Sequence, residues 1–285
     1  MISPYVRRLR LAAELRALRT QAGVTHVQLA KQIGQSRAQI SRLENGHVVD
    51  LDDVMKILDA LGVEDQRWTE IMTIAREAAE RGWWESNRFM GERQALYANL
   101  EAGAQTIREF QMIFIPGLLQ TPDYTRARGE AERVTGASEF RADKAADGRL
   151  GRQRMLRRPG GPLYEVVIDE LALRRASAPR EILKAQLYHI AATVNGNPKI
   201  TARVLPVEAT IDGFSVPRSA FSIYTFKDSG DPTIVTVDTI TDDMILYDSD
   251  DVKRYEELYE RLRVAAMPMS ESLEFMIRWA KNPLG

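Results

Sequence analysis

The densest run of side chains able to do chemistry lies between residues 25 and 45: Thr25, His26, Ser36, Arg37, Gln39, Ser41, Arg42 and Asn45. Guanidinium forks, amides, hydroxyls and an imidazole donate hydrogen bonds to anions and planar acceptors, so the chemistry on offer is recognition rather than bond making. Covalent and metal chemistry is poorly supplied. The chain has no cysteine, which removes thiol nucleophiles, disulfides, zinc ribbons and iron–sulfur clusters. Its histidines, at 26, 47 and 189, form no helical ligand pair of the kind a catalytic zinc needs. No GxSxG, GxGxxG or Walker pattern is present. Asp169 and Glu170 are adjacent at the end of a predicted strand, where neighbours point to opposite faces. His189 stands alone on a predicted helix and reads as structural or exposed. The expectation is a protein that is not an enzyme and carries no cofactor or metal.

The recognition residues need elements to hold them. Apolar residues recur with helical period from Tyr5 through Leu9, Ala12, Leu15 and Leu18, and Gly23 stops the helix. Thr25 caps a predicted helix from His26 to Ile33, which Gly34 closes. Ser36 caps the next, Arg37 to Asn45, with Ile40 and Leu43 inside and Gly46 ending it. On that helix Arg37, Ala38, Ser41 and Arg42 lie opposite the apolar pair and face outward, with Gln39 at the edge. A further helix, Leu51 to Leu61, buries Val54, Ile57, Leu58 and Leu61 and begins near Asp52 and Asp53, whose charge suits the helix dipole. Helical pattern then runs on to about Arg81. The pair 26–33 and 36–45 has helix-turn-helix spacing.

Net charge is −1, with 39 basic against 40 acidic residues, and the sum conceals opposed blocks. Residues 1–49 hold eight basic and two acidic side chains, and residues 50–81 four basic and nine acidic. A second basic stretch, 141–158, has seven against two, while 228–260 has eleven carboxylates against Lys253 and Arg254. No apolar run approaches the roughly 20 residues that span a membrane, and MISPYVRRLRL lacks the apolar core of a secretory signal, so a cytoplasmic protein is expected.

Residues 15–46, LRALRTQAGVTHVQLAKQIGQSRAQISRLENG, resemble the Cro/C1 or XRE type of helix-turn-helix. The matching positions are Leu18-Arg19, Gly23, Thr25, Leu29-Ala30, Gly34, Ser36, Ile40-Ser41 and Leu43-Glu44-Asn45-Gly46. His26 departs from the family, which most often has glutamine as a phosphate contact there; histidine can still donate, in a pH-sensitive way. The resemblance implies that the outward face of helix 37–45 enters the DNA major groove. Arg37 and Arg42 would then address guanine O6/N7, Gln39 adenine N6/N7, Ala38 a thymine methyl, and Ser41 would share that face. Thr25, His26, Ser36 and Asn45 would position the phosphate backbone. Arg19 and Glu44 pair across the bundle in related repressors and read as a structural ion pair.

Beyond Gly82-Trp83-Trp84 a second domain is expected. Trp83 and Trp84 could anchor a linker in the core, the preferred reading, or form a partner surface. ALYANLEAGAQTIREFQ, from Ala95, reads as helical. After Pro159-Gly160-Gly161-Pro162, the segments 163–170, 200–206, 220–226 and 233–239 read as strands, with helices near 179–195, 251–265 and 270–281. Arg149 and Arg152, in the second basic stretch, could bind an anionic effector, DNA backbone or an acidic partner. Residues from about 83 to 280 resemble the uncharacterised domain that follows an XRE helix-turn-helix in many actinobacterial regulators. The segments GWWES (82–86), IPGLLQTPDY (115–124), GRLGRQRML (148–156), VVIDELALRR (166–175) and QLYHI (186–190) carry that likeness. The expected fold is therefore an all-α helix-turn-helix bundle, 1–81, followed by an α+β domain, 82–285, with a mostly antiparallel sheet.

The expected function is a sequence-specific transcriptional regulator, a repressor, acting as a homodimer on a pseudo-palindromic double-stranded operator. Its second domain would dimerise and accept a small molecule or a small, adjacently encoded protein. The alternative is an antitoxin-like or partner-sequestering protein that autoregulates through its helix-turn-helix. Neither reading involves a membrane.

Overall fold

The computed structural model describes residues 1–86, 90–133, 142–239 and 241–281. They form two compact units. The first comprises Met1–Ser86 with Ala98–Gly103 and Phe226–Pro232; the second comprises Asn87–Tyr97, Ala104–Thr225 and Thr233–Gly285.

The first unit is helical: α1 (Pro4–Gln21), α2 (His26–Ile33), α3 (Arg37–Leu43), α4 (Leu51–Ala60), α5 (Asp65–Ala79) and α6 (Trp83–Ser86). Ser3 caps α1 by accepting from Val6 N, and Pro4 sits where its missing N–H costs nothing. Gly34 takes φ 68° between α2 and α3, a left-handed turn that admits glycine without strain. Leu11, Leu15, Leu29, Ile40, Leu43, Val54, Ile57, Leu58, Ile71 and Met72 make one core. Arg7, buried on α1, meets Glu77 at 2.9 Å and Asp228 and Asp231 at 3.0 Å each. Arg10 meets Asp228 at 2.7 Å. The Gly230 N–H together with Arg10 and Arg7 holds the Asp228 carboxyl well below the usual range.

The rest of the chain carries α7 (Glu92–Gly103), whose residues from Ala98 belong to the first unit, then β1 (Ala104–Gln111), α8 (Pro122–Arg133), α9 (Ala142–Arg157) and β2 (Leu163–Asp169). These lead to α10 (Glu170–Arg174), α11 (Arg180–Gly196), β3 (Ile200–Leu205), β4 (Phe221–Phe226), β5 (Ile234–Val237), β6 (Met244–Leu246), α12 (Ser249–Ala265) and α13 (Met269–Lys281). The six strands make one sheet in the order β3-β2-β1-β4-β5-β6. The α+β class expected from the sequence holds. The sheet is mixed: β4–β5 and β5–β6 pair antiparallel, whereas β1–β2 and β2–β3 pair parallel, with helices in the crossovers.

The parallel half depends on β1, where the sequence pattern predicts a continuation of the helix from Ala95. Here the structure corrects it: α7 ends at Gly103 and Ala104–Gln111 is a strand. As a central strand between β2 and β4 it places buried residues on both faces, Ala104 and Phe110 on one and Ile107 and Glu109 on the other, so it lacks the alternation that marks a half-buried strand. On one face Phe110, Val167, Leu205, Phe221, Val235 and Val237 pack with Val252, Tyr259 and Leu262 of α12. The outer edge at β3 is covered by α13: Ser272 Oγ accepts from Val204 N at 2.9 Å, and Val204 O accepts from Met267 N at 2.8 Å. Among the described residues no helix is long and apolar enough to cross a membrane.

Ser272→Ala leaves the buried Val204 N–H without its acceptor and is expected to destabilise the protein by about 1–3 kcal/mol. Urea unfolding followed by circular dichroism measures it.

Candidate nucleic-acid interface

The interface is built on two short helices and the turn between them. Thr25 Oγ1 accepts from Gln28 N at 3.3 Å, while Gln28 Oε1 accepts from Thr25 N and Oγ1, a reciprocal capping box that fixes the start of α2. Ser36 Oγ accepts from Gln39 N at 3.1 Å and starts α3. Ser36 therefore keeps its hydroxyl hydrogen for an outside acceptor, whereas Thr25 donates its own to Gln28. Ile40 and Leu43 anchor α3 in the core, leaving Arg37, Ala38 and Arg42 exposed and Ser41 half-buried on the opposite face.

Behind this face lies a buried carboxylate. Glu44, 3% exposed, takes Arg19 Nε on Oε1 at 2.6 Å and Arg19 Nη2 on Oε2 at 2.9 Å. Arg19 Nη1 also donates to Val24 O at 2.9 Å. His26 Nε2 sits 3.0 Å from Glu44 Oε2, so the histidine expected at a phosphate is turned toward the ion pair. Burial pushes the Glu44 carboxyl up, but the bonds from Arg19 and His26 outweigh it and hold it below its ordinary value. Arg16 Nη2 donates to Glu44 O, and Asn45 Nδ2 to Ser41 O at 2.7 Å, tying the end of α3 to α1 and to itself.

Gln39, expected at a base, has both ends of its amide engaged: Nε2 donates to Asp53 Oδ2 and Oε1 accepts from Arg42 Nη2, each at 2.7 Å. Asp53 also accepts from Gln35 Nε2 at 2.6 Å. Asp53 and Gln35 are not among the residues expected at this site from the sequence. The available signal was that Asp53 lies one turn before Ile57 on the buried stripe of α4, a position that called for partners rather than solvent.

The residues proposed for a partner surface divide. Trp84 is 5% exposed, with its ring 6.0 Å edge-on from Trp83, so it is a core anchor; Trp83 is half-buried. In the second unit Arg152 is 6% exposed, donating to Gln94 Oε1 at 2.5 Å and lying 5.0 Å over the Tyr97 ring. Its place is interior, because the ring and the amide together cover the guanidinium. Arg149 is half-buried against Gly117. Arg141 lies outside the described residues. Near Arg152, Glu109 is fully enclosed, accepting from Tyr164 OH at 2.5 Å and Gln111 Nε2 at 2.9 Å. Burial pushes its carboxyl up to about 7; Tyr164 and Gln111 offset this only in part, and Asp238 adds to it.

Residues 10–69 match the family described as a helix-turn-helix domain, and residues 94–278 match the domain of unknown function DUF5753. The second match spans more than half the chain, which therefore belongs to the DUF5753 family and carries a helix-turn-helix domain ahead of it. No curated protein and no solved structure matches it.

Two outcomes are expected. Glu44→Gln leaves Arg19 without its charge partner and should cost about 3 kcal/mol in thermal or denaturant unfolding. Because the folded Glu44 value is depressed, its contribution is present above the ordinary glutamate range and is lost as pH falls through the folded value; the difference between wild type and variant should shrink there. Glu109 has the opposite sign. Its folded value is raised to about 7, so its contribution is complete below the ordinary glutamate range and is lost as pH rises through about 7. Glu109→Gln should thus gain on wild type over that window by up to about 1.4 kcal/mol per pH unit, read from melting temperatures in a pH series.

Proposed function

We propose that this chain is a sequence-specific DNA-binding transcriptional regulator of the XRE type, acting as a repressor, with α3 as the helix that enters the major groove. The observation that carries this reading is the exposed pair Arg37 and Arg42 on a helix whose other face is locked by Ile40, Leu43 and the Glu44 ion pair. A rigid backing with two solvent-facing guanidiniums is what bidentate contacts to guanine require. Ala38 and Ser41 lie between them, and Ser36 is placed to donate to a phosphate. A helix-turn-helix of this size covers one half-site, so the reading includes a homodimer on a pseudo-palindromic operator, with dimerisation and signal reception assigned to the DUF5753 segment. The buried polar groups around Glu109, Tyr97 and Arg152 support a regulatory role for that segment, since an interior carboxyl that titrates near neutrality responds to small changes in its surroundings.

The test is binding of the purified protein to duplexes enriched from a random library. Arg37→Ala/Arg42→Ala should lower affinity for the enriched duplex by at least about thirtyfold, since each bidentate contact discriminates by about 1–3 kcal/mol. It should leave the melting temperature near wild type. Unchanged affinity would remove α3 as the reading helix. Ser36→Ala should instead weaken all duplexes alike and flatten the dependence on salt.

A further inference from the structure

We infer that Asp53, on α4 and away from the reading face, is a positioning residue for base recognition: through Gln39 it fixes the guanidinium of Arg42. The inference rests on the reading of α3 as the DNA-reading helix and adds to it a residue that touches no DNA.

The argument is one of hydrogen-bond direction. A carboxylate only accepts and a guanidinium only donates. Asp53 is 2% exposed and offers Oδ2 to Gln39 Nε2 at 2.7 Å, so the Gln39 amide must turn its nitrogen inward and its oxygen outward. The outward oxygen then accepts from Arg42 Nη2 at 2.7 Å. Both partners demand the same amide orientation, and neither tolerates the flipped one. Asp53 is in turn held by Gln35 Nε2 on its other oxygen at 2.6 Å, which ties the relay to the turn between α2 and α3. A contact to adenine by Gln39 would need its nitrogen and its oxygen together on the base edge. Here both face protein partners, so Gln39 serves as the buttress of Arg42. One N–H of Arg42 is spent on that buttress, leaving four of its five donors for a base. A long exposed side chain loses rotamer freedom when it binds; fixing it beforehand removes part of that loss and aims the fork at one position.

Asp53→Asn keeps the shape and breaks the direction, because an asparagine amide can satisfy a flipped Gln39. Selection from a random duplex library with the full chain should give a motif for wild type and loss of preference at one position per half-site for Arg42→Ala. Asp53→Asn should weaken preference at that same position by about fivefold, the lower end of what one bidentate contact discriminates. It should not move the salt slope, and it should add nothing in the Arg42→Ala background. Gln39→Met cuts the relay at its half-buried middle and should reproduce the effect, which decides the matter if the α4 variant folds poorly. Unaltered preference in both variants overturns the inference, as does an equal loss on every duplex that persists without Arg42, the mark of a structural role. If wild type enriches no motif, the DNA-reading assignment fails. The relay is then judged in the free protein, where nitrogen-15 relaxation of the Arg42 Nε–H should report greater mobility in Asp53→Asn, and equal mobility overturns it.

Discussion

The helix-turn-helix is organised by the Glu44 carboxylate. Its two oxygens draw Arg19 from α1 and His26 from α2 to the end of α3, so three helices meet at one buried charge. Burial of an ion is costly unless it is paired and hydrogen-bonded, and here a bidentate guanidinium and an imidazole place three hydrogen bonds on the two oxygens. The angle between α2 and α3 follows from that meeting together with Leu29, Ile40 and Leu43. The outward face of α3 inherits its direction from the same place. The outward side of this seven-residue helix is held in one direction because its other side is packed and ion-paired.

A second buried acid does for one side chain what Glu44 does for the helices. Asp53 has amides rather than a guanidinium as partners, so it gives orientation with little net charge attraction. Glu109, enclosed by Tyr164 and Gln111, is different again: burial favours keeping the proton, and the bonds from Tyr164 and Gln111 offset that only in part. The three carboxyls share burial and differ in who donates to them.

Much of this was legible in the residues. Capping hydroxyls at Thr25 and Ser36, the left-handed glycine at 34 and the apolar positions 29, 30, 40 and 43 bound α2 at both ends and started α3, because local chemistry decides those features. Arg19 and Glu44 were paired through resemblance alone, and nothing in the spacing of residues 25 apart would have found them. Asp53, Gln35 and the turned-in amide of Gln39 were missed for the same reason: their partners come from a different helix. The strand at Ala104–Gln111 was missed because central burial erases alternation, and with it went the parallel half of the sheet.

The order in which the chain emerges during synthesis also matters. Arg7 and Arg10 lie in the first helix, yet the carboxylates Asp228 and Asp231 that neutralise them belong to a segment ending at Pro232. At about 5–20 residues per second, that segment appears roughly 7–30 s after residue 86. Until then Arg7 and Arg10 stand without these two carboxylates, with Glu77 the one early acid on Arg7 among the described residues. Completion of the N-terminal unit is therefore a late event in the life of the nascent chain, timed by residues on the far side of the sheet strand β4.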